Sequence, residues 1–251
     1  MRSIRNLSLV CFLCLSVLAA QAATHYLVPT NTSAANPYTN WAMAGTSVID
    51  VVNAAMTNAS TPRIIWVTNG VYVLTNSVSI TNGVTLQSVN GRDVTIFNGN
   101  ALYKFSMSHT SSVLNNLTIT NCYSASWGGG ISLSSGTITN CLITDCISAA
   151  NGGGGIYMGA AIAIVANCVI RRNRLIGAGQ GGGVYTISGT IKNCTIEKNS
   201  SIGHGAGIMT GGTDKIYNCL IVDNFSSGTS LYGGGIYIAT AGAVTCRRLL
   251  K

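Results

Sequence analysis

The chain has 251 residues, of which 8% are charged, 47% are hydrophobic and 30 are glycine. An average soluble protein carries roughly 25% charged residues, so this composition excludes a fold built from exposed amphipathic helices, and the apolar content excludes wholesale disorder. The formal net charge is +8, but the segment from Ala23 to Cys246 holds nine basic and six acidic residues, a net of +3. This mild balance predicts no nucleic-acid partner.

The first 22 residues have the pattern of a secretory signal peptide. Arg2 and Arg5 give a positive start, residues 7–20 are an apolar stretch too short to span a bilayer, and residues 20–22 supply small side chains for cleavage. A buried N-terminal helix is the alternative interpretation. We expect cleavage near Ala22, a secreted or cell-surface mature protein, and no membrane-spanning segment.

Residues 23–61 are predicted to form a strand followed by a capping helix. The strand covers His25–Val28, and the helix covers Ser47–Met56, where Ser47 and Asp50 have the spacing of a capping box. The apolar residues of this segment recur on one helical face: Val48, Val51, Val52, Ala55 and Met56. Such a helix would cover the apolar end of a repeat structure.

Residues 62–246 contain two alternating repeat elements. The first is Ile or Val followed by x-Asn-Cys-x-Ile, and its copies start 27, 26 and 25 residues apart, at Ile138, Val165, Ile191 and Ile216. The second is a glycine-rich triplet followed by Ile or Val, found at residues 128–131, 153–156, 181–184, 205–208 and 233–236. Less regular strands are predicted before them, over Arg63–Val67, Val71–Leu74, Val78–Ile80, Val84–Leu86 and Val94–Phe97.

A period near 25 residues is compatible with leucine-rich repeats, helical pairs or a β-solenoid. A glycine triplet in every unit opposes helices, and the units contain no helical spacing. We therefore predict an all-β fold, a single-stranded parallel β-helix over residues 62–246, in which equivalent positions stack about 4.8 Å apart.

Stacking assigns each repeated position to a column. Aliphatic residues form two interior columns, and a third interior column is Cys141, Cys168, Cys194 and Cys219. Asparagines form two columns at bends, where stacked amides can bond to the backbone: Asn140, Asn167, Asn193 and Asn218, and then Asn173, Asn199 and Asn224.

The cysteines are interpreted as buried free thiols, because a free cysteine behaves as a small hydrophobe. Disulfides between rungs and a metal site are the alternatives, but metal ligands must converge on one point and these residues are spread along an axis. We expect neither a metal nor a cofactor.

Charged side chains lie on the predicted outer surface of the solenoid. Neighbouring rungs predict the ion pairs Asp145–Arg172, Arg171–Glu197 and Lys198–Asp223. The remaining acids, Asp50, Asp93 and Asp214, are predicted to lie in a cap, a turn and a loop.

The C-terminal end is predicted to be uncapped or truncated. Val244-Thr245 starts another copy of the first element, but the asparagine is missing before Cys246, and residues 247–251 do not continue the pattern. A final rung completed by another chain is the alternative.

The alternating GGGI and Ile-x-x-Asn elements resemble right-handed parallel β-helix repeat proteins of the pectin-lyase-like superfamily. They are especially similar to the repeats of bacterial polymorphic outer-membrane proteins, with Ile in place of Phe. The resemblance covers residues 64–245 and implies a right-handed solenoid. It also implies two classes of function, because the superfamily contains polysaccharide lyases and glycoside hydrolases beside surface proteins.

The enzyme alternative has little support in the sequence. Lyase-like sites of the superfamily use clustered acidic Ca²⁺ ligands, which this chain lacks. Gly203-His204-Gly205 matches one hydrolase-like motif, but it overlaps a repeat triplet and has no pair of adjacent aspartates beside it, whereas glycoside hydrolysis uses two carboxyl groups.

One outward column contains aromatic side chains. The residues after each triplet and its Ile or Val are Ser132, Tyr157, Tyr185, Met209 and Tyr237. Tyrosine combines a stacking face with a hydroxyl group, so Tyr157, Tyr185 and Tyr237 are the candidate binding residues for a polysaccharide or cell-surface glycan. The alternative is an aromatic ladder that only stabilises the sheet. The sequence favours a non-catalytic, adhesin-like or glycan-contacting scaffold over a lyase or hydrolase with a divergent or truncated site.

Overall fold

The computed structural model describes residues 22–228, 233–239 and 245–247. Residues 1–21 of the predicted signal peptide and residues 248–251 of the predicted tail lie outside the described residues. Among the described residues, the helical elements are a short 3-10 turn, Trp41–Met43, and one α-helix, α1, Val48–Thr57.

The remaining regular structure consists of short β-strands. Those that precede the regular repeats are β1 Ala23–Leu27, β2 Arg63–Val67, β3 Gly70–Val73, β4 Val78–Ile80, β5 Val84–Ser88, β6 Thr95–Asn98, β7 Phe105–Asn115, β8 Thr118–Thr120 and β9 Tyr123–Ser124. Those of the next rungs are β10 Ile131–Thr139, β11 Leu142–Thr144, β12 Ile147–Ser148, β13 Ile156–Met158, β14 Ala163–Ala166, β15 Val169–Arg171 and β16 Arg174–Leu175. The last are β17 Val184–Thr186, β18 Gly189–Lys192, β19 Thr195–Glu197, β20 Ser200–Ser201, β21 Ile208–Thr210, β22 Asp214–Tyr217, β23 Leu220–Val222, β24 Phe225–Ser226, β25 Ile236–Ile238 and β26 Thr245–Arg247.

The strands form three parallel sheets that wrap around one axis. Sheet A has 14 described strands, sheet B has seven and sheet C has five. One rung runs through β13 and β14 in sheet A, β15 in sheet B and β16 in sheet C, and the next rung repeats this path through β17 to β20. The fold is a parallel β-helix of about six turns, as the repeat predicts.

The interior consists of the columns that the repeat predicts. Ile138, Val165, Ile191 and Ile216 stack in register and are buried. Ile143, Ile170 and Ile196 stack in the same way beneath sheet B. Full burial of such a side chain is worth roughly 1.5–3 kcal/mol, so these columns supply much of the driving force for folding.

The cysteine column is also confirmed. The cysteines of this column are buried and free: Cys141, Cys168, Cys194 and Cys219. The backbone N–H groups of Val169, Thr195 and Leu220, which follow the last three of these cysteines, each donate to the carbonyl oxygen of the cysteine one rung earlier. Each Sγ lies 3.6–3.8 Å from a carbonyl oxygen of the rung before it. Burial raises the pKa of the Cys168 thiol well above its usual range, and its neighbours Cys141 and Cys194 add to the rise.

The N-terminal end carries the predicted cap. Helix α1 packs against β1, β2, β4 and β5, and it buries Val48, Val51, Val52 and Ala55. The Ser47 hydroxyl accepts a hydrogen bond from the Asp50 backbone N–H at 3.3 Å, as expected for an N-cap. His25 in β1 is buried, and its Nδ1 lies 2.7 Å from the carbonyl oxygen of Pro37.

The two bends use left-handed backbone in different ways. At the first bend, Asn140, Asn167, Asn193 and Asn218 have φ between +51° and +55°, which asparagine tolerates better than most residues. At the second bend the left-handed residues are Asp145, Arg172, Lys198 and Asp223, which precede the interior column of Cys146, Asn173, Asn199 and Asn224. The second asparagine column therefore serves hydrogen bonding rather than backbone conformation.

Two of the three predicted ion pairs are wrong. Asp145 and Arg172 pair, with Oδ2 and Nη2 2.6 Å apart, but neither Arg171–Glu197 nor Lys198–Asp223 forms an ion pair within 4 Å among the described residues. Asp145, Arg172, Lys198 and Asp223 share the same left-handed backbone, so position in the repeat does not by itself decide which neighbours pair.

Asp214 and Cys246 also lie elsewhere than predicted. Asp214 starts β22 and is buried, rather than lying in a loop. Cys246 pairs with Ile216 in β22, so the last copy aligns Cys246 with the isoleucine column and not with the cysteine column.

Candidate functional site

The predicted aromatic column lies on the outer face of sheet A. Parallel pairing places Ser132, Tyr157, Tyr185, Met209 and Tyr237 directly above one another. The residues on either side of Tyr157 and of Tyr185 in their strands are buried, and both tyrosines are half-buried. The alternation along these strands directs the rings outward.

Tyr157 and Tyr185 stack on each other across neighbouring rungs. Their ring centroids are 5.8 Å apart and the planes are inclined by 19°. Partial burial raises the pKa of the Tyr157 hydroxyl, and Tyr185 adds to the rise. The two rings therefore shield part of each other's faces.

Trp127 joins this pair, although the column did not predict it. Its ring centroid lies 4.6 Å from that of Tyr157 and 5.2 Å from that of Tyr185. Trp127 precedes a glycine triplet and pairs with Gly152 and, through it, with Gln180 on the following rungs. A sequence search for a repeated aromatic residue misses it, because the next three copies have glycine, glutamine and histidine at that position.

Gly152 provides the space for this arrangement. A Cβ atom at this position would lie 3.0 Å from the Cγ and Cδ2 atoms of Tyr185 and 2.5 Å from the Gln180 carbonyl oxygen. The ring of Tyr185 therefore rests over a residue without a side chain. Gly153, the next residue, has φ +70°, a conformation that glycine adopts without steric cost.

Lys104 fixes the backbone of Trp127 from the preceding rung. Its Nζ donates to the Trp127 carbonyl oxygen at 2.5 Å and to Ser124 Oγ at 3.0 Å. Burial lowers the pKa of this ammonium group. We name Trp127, Tyr157 and Tyr185 the aromatic cluster.

The column does not continue as a uniform aromatic surface. Met209 follows Tyr185 and is buried, so it separates Tyr237 from the aromatic cluster by one rung. Tyr237 instead contacts His204, with ring centroids 4.6 Å apart. The structure thus brings Tyr157 and Tyr185 together and places Tyr237 beside the histidine of the Gly-His-Gly motif.

The acidic residues occupy separate structural positions. Asp145 is paired with Arg172, Asp214 is buried, and Asp50 lies in the first turn of α1. Asp93 lines a polar surface pocket of about 370 Å³ together with Arg92 and Asn140. Within the described ranges no group of three or more His, Cys, Asp or Glu residues is arranged to hold a metal ion.

The architecture defines the class of protein: a parallel β-helix with a helical N-terminal cap and an aromatic cluster on one outer face. Residues 43–247 match the family model described as right handed beta helix region, and the chain therefore belongs to this family. The right-handed sense that the repeat motifs implied is confirmed. No curated protein and no solved structure matches the chain. None of the described helices has the length and apolar character needed to cross a bilayer.

Proposed function

We propose that this protein is a secreted or cell-surface, non-catalytic β-helix scaffold that contacts glycans through the aromatic cluster. The observation that carries the proposal is the contact of Trp127 with both Tyr157 and Tyr185 on an outward face. Aromatic rings with a polar atom suit ligands that have both apolar and hydroxyl-bearing surfaces. Successive rungs place such rings at a spacing comparable with a sugar repeat.

The mutual stacking of Tyr157 and Tyr185 sets the kind of contact. Because part of each ring face is covered by its neighbour, a saccharide would meet ring edges, hydroxyl groups and the outer surface of Trp127. Gln180 lies at the same repeat position as Trp127 and supplies an amide for hydrogen bonds. An open, shallow face of this kind predicts weak binding per sugar and stronger binding to long chains.

The non-catalytic part of the proposal is supported by the carboxyl groups. Glycosidic hydrolysis uses two carboxyl groups on either side of one bond. Asp145 is committed to Arg172 and Asp214 is enclosed in the interior. His204 contacts Tyr237, which supports a structural role for the Gly-His-Gly segment.

A glycan array tests the proposal with the triple variant Trp127→Ala, Tyr157→Ala and Tyr185→Ala, which removes the aromatic cluster. Binding to any glycan retained by the wild type should fall by about tenfold or more, as for truncation of interface anchors. The matched control is Tyr123→Ala with Tyr217→Ala, which removes half-buried tyrosines from other columns. Unchanged binding by the folded triple variant, or an equal loss in the control, would contradict the proposal.

Tryptophan fluorescence supplies a second readout. A bound saccharide should shift the emission of Trp127, and the shift should persist when Trp41 and Trp66 are replaced by phenylalanine. Secretion is tested separately by mass spectrometry of the exported protein. A mature N-terminus near residue 23 is expected, and export of the uncleaved chain or retention inside the cell would contradict it.

A further inference from the structure

A surface pocket that shares no lining residue with the aromatic cluster lies on the N-terminal rungs of sheet A. Its volume is about 560 Å³, within the range of small-molecule sites. It is lined by residues of β2, the β4–β5 turn, β5 and the middle of β7, among them Arg63, Asn82, Gly83, Thr85, His109 and Ser111. This inference does not rest on glycan binding.

The pocket exists because β7 leaves the regular path. Ser108 pairs with Ser135 of β10, and the next pair is Val113 with Thr137. The strand therefore carries additional residues between these two pairs, and they bulge outward. This bulge places His109 and Ser111 over the turn that contains Gly83, where a Cβ would lie 3.2 Å from His109 Cε1 and from Ser111 Cβ.

Arg63 supplies a positive charge to the pocket and is held in place by its own chain. Its Nε donates to the Asn58 carbonyl oxygen at 2.7 Å, and its Nη1 lies 3.5 Å from Asn82 Oδ1. These contacts fix the guanidinium and leave Nη2 without an acceptor in the part of the chain that the structure describes. A fixed guanidinium binds oxyanions at a lower entropy cost than a mobile one.

His109 adds an oriented donor. Its Nδ1 accepts a hydrogen bond from the Ser111 backbone N–H at 3.1 Å. In the neutral ring the proton is therefore on Nε2, which is a donor. The hydroxyl groups of Thr85 and Ser111 line the same pocket.

The lining residues include a cation and several donors but no aspartate or glutamate among those described. The pocket around Arg92 differs in this respect, because Asp93 lines it and Arg92 Nη1 already donates to the Cys141 carbonyl oxygen at 3.2 Å. We infer that the pocket formed by Arg63, His109 and Ser111 binds a tetrahedral oxyanion, the phosphate or sulfate group of a small ligand. Three oxygens of such a group can accept hydrogen bonds from several directions.

Titration with inorganic phosphate and with sulfate, followed by NMR of the histidine ring signals, tests this inference. The His109 signals, identified by their loss in His109→Ala, should shift and saturate. The affinity of Arg63→Gln should fall by about tenfold or more, as expected for loss of a charge-assisted hydrogen bond. Arg63→Lys keeps the charge and should retain part of the affinity.

Arg92→Gln is the matched control, because it removes an arginine from the other polar pocket, which Asp93 also lines. It should leave the affinity unchanged, and circular dichroism with thermal melting should show that each variant is folded. Acetate, a planar anion, should bind more weakly than either tetrahedral ion. Three results would overturn the inference: shifts that do not saturate, equal effects of Arg63→Gln and Arg92→Gln, or full affinity in a folded Arg63→Gln protein.

Discussion

The side-chain amides of Asn173 and Asn199 bond to each other across adjacent rungs. Asn173 Nδ2 donates to Asn199 Oδ1 at 3.0 Å, and the same oxygen accepts the Asn173 backbone N–H at 3.0 Å. Asn199 Nδ2 in turn donates to the Ile170 carbonyl oxygen at 2.9 Å, and Asn224 repeats the pattern one rung later. Each buried amide thus satisfies backbone groups at a bend where no regular ladder runs.

Replacing Asn199 by leucine should strongly destabilise the protein. The change leaves the Asn173 backbone N–H buried without its partner, at about 1–3 kcal/mol, and removes one hydrogen bond from the Ile170 carbonyl oxygen. We expect the free energy of unfolding to fall by roughly 2–5 kcal/mol, measured by urea denaturation. The control is Asn53→Leu on the exposed side of α1, which should change stability by less than about 0.5 kcal/mol. Similar effects of the two substitutions would show that the ladder does not stabilise the bend.

Replacing Lys198 by asparagine should stabilise the protein. Lys198 has φ +54°, and a left-handed conformation costs most L-residues roughly 1–2 kcal/mol, less for asparagine. The side chain is exposed and forms no ion pair with Asp223, so little is lost. An increase of about 0.5–1 kcal/mol in the free energy of unfolding is expected.

The control for Lys198→Asn is Lys192→Asn. Lys192 is also exposed, but it lies in β18 with extended backbone, where asparagine is a poor strand former. This variant should be neutral or slightly destabilised in the same denaturation experiment. A gain in both variants would indicate that removal of charge, rather than backbone conformation, is responsible.

The sequence predicts the fold well because stacking repeats one local solution many times. Every copy of the asparagine and cysteine element predicts the same columns. A single deviating residue, such as Cys146 at the position that Asn173 and Asn199 occupy in later copies, therefore does not change the predicted fold. The cap helix is predictable for a similar reason, since Ser47 and five apolar residues on one helical face indicate it independently.

The outer surface is less predictable because it is not constrained by stacking. Trp127 occupies a column that holds glycine in the next copy, and its contact with Tyr185 two rungs away depends on that glycine. His109 lies in a bulge of β7 that no repeated motif predicts. Only the structure therefore shows that it lines the same pocket as Arg63. The position of Asp214 is likewise set by register, because its neighbour in the column is Gly189.

The six buried cysteines should be unreactive in the folded protein. They are Cys122, Cys141, Cys146, Cys168, Cys194 and Cys219. Alkylation requires an accessible thiolate, and burial blocks access to all six thiols; at Cys168 it also raises the pKa. Iodoacetamide at pH 8 should label their peptides only after denaturation, as measured by mass spectrometry. Labelling of Cys168 or Cys194 at the rate of an exposed thiol in the folded protein would contradict the buried column.

Because of Asp214, the stability of the protein should decrease as the pH rises. Burial raises the pKa of this carboxyl group, although Thr186 opposes the rise by donating to Oδ1 at 2.6 Å. Its Oδ2 has no hydrogen-bond partner within the described residues. The folded protein therefore holds the proton more tightly than the unfolded chain, and the stability present at low pH is lost as the pH rises through the folded-state pKa.

Asp214→Asn removes this ionisation while keeping the side-chain shape. Below about pH 3, where the carboxyl group is protonated in both states, the variant and the wild type should have similar stability. At neutral pH the variant should be more stable, because the wild type must either bury a charged carboxylate or bind a proton at a free-energy cost. Urea denaturation at several pH values measures this difference.

Asp145→Asn is the control with the opposite sign. Its hydrogen bond from Arg172 lowers the pKa of the Asp145 carboxyl group, so the stability it contributes is present above its ordinary pKa and is lost as the pH falls through the folded-state pKa. The stability of this variant relative to wild type should therefore fall, not rise, between acidic and neutral pH, by less than about 1 kcal/mol for an exposed pair. If Asp214→Asn follows the same direction as Asp145→Asn, the Asp214 carboxyl group is not held in its protonated form by burial.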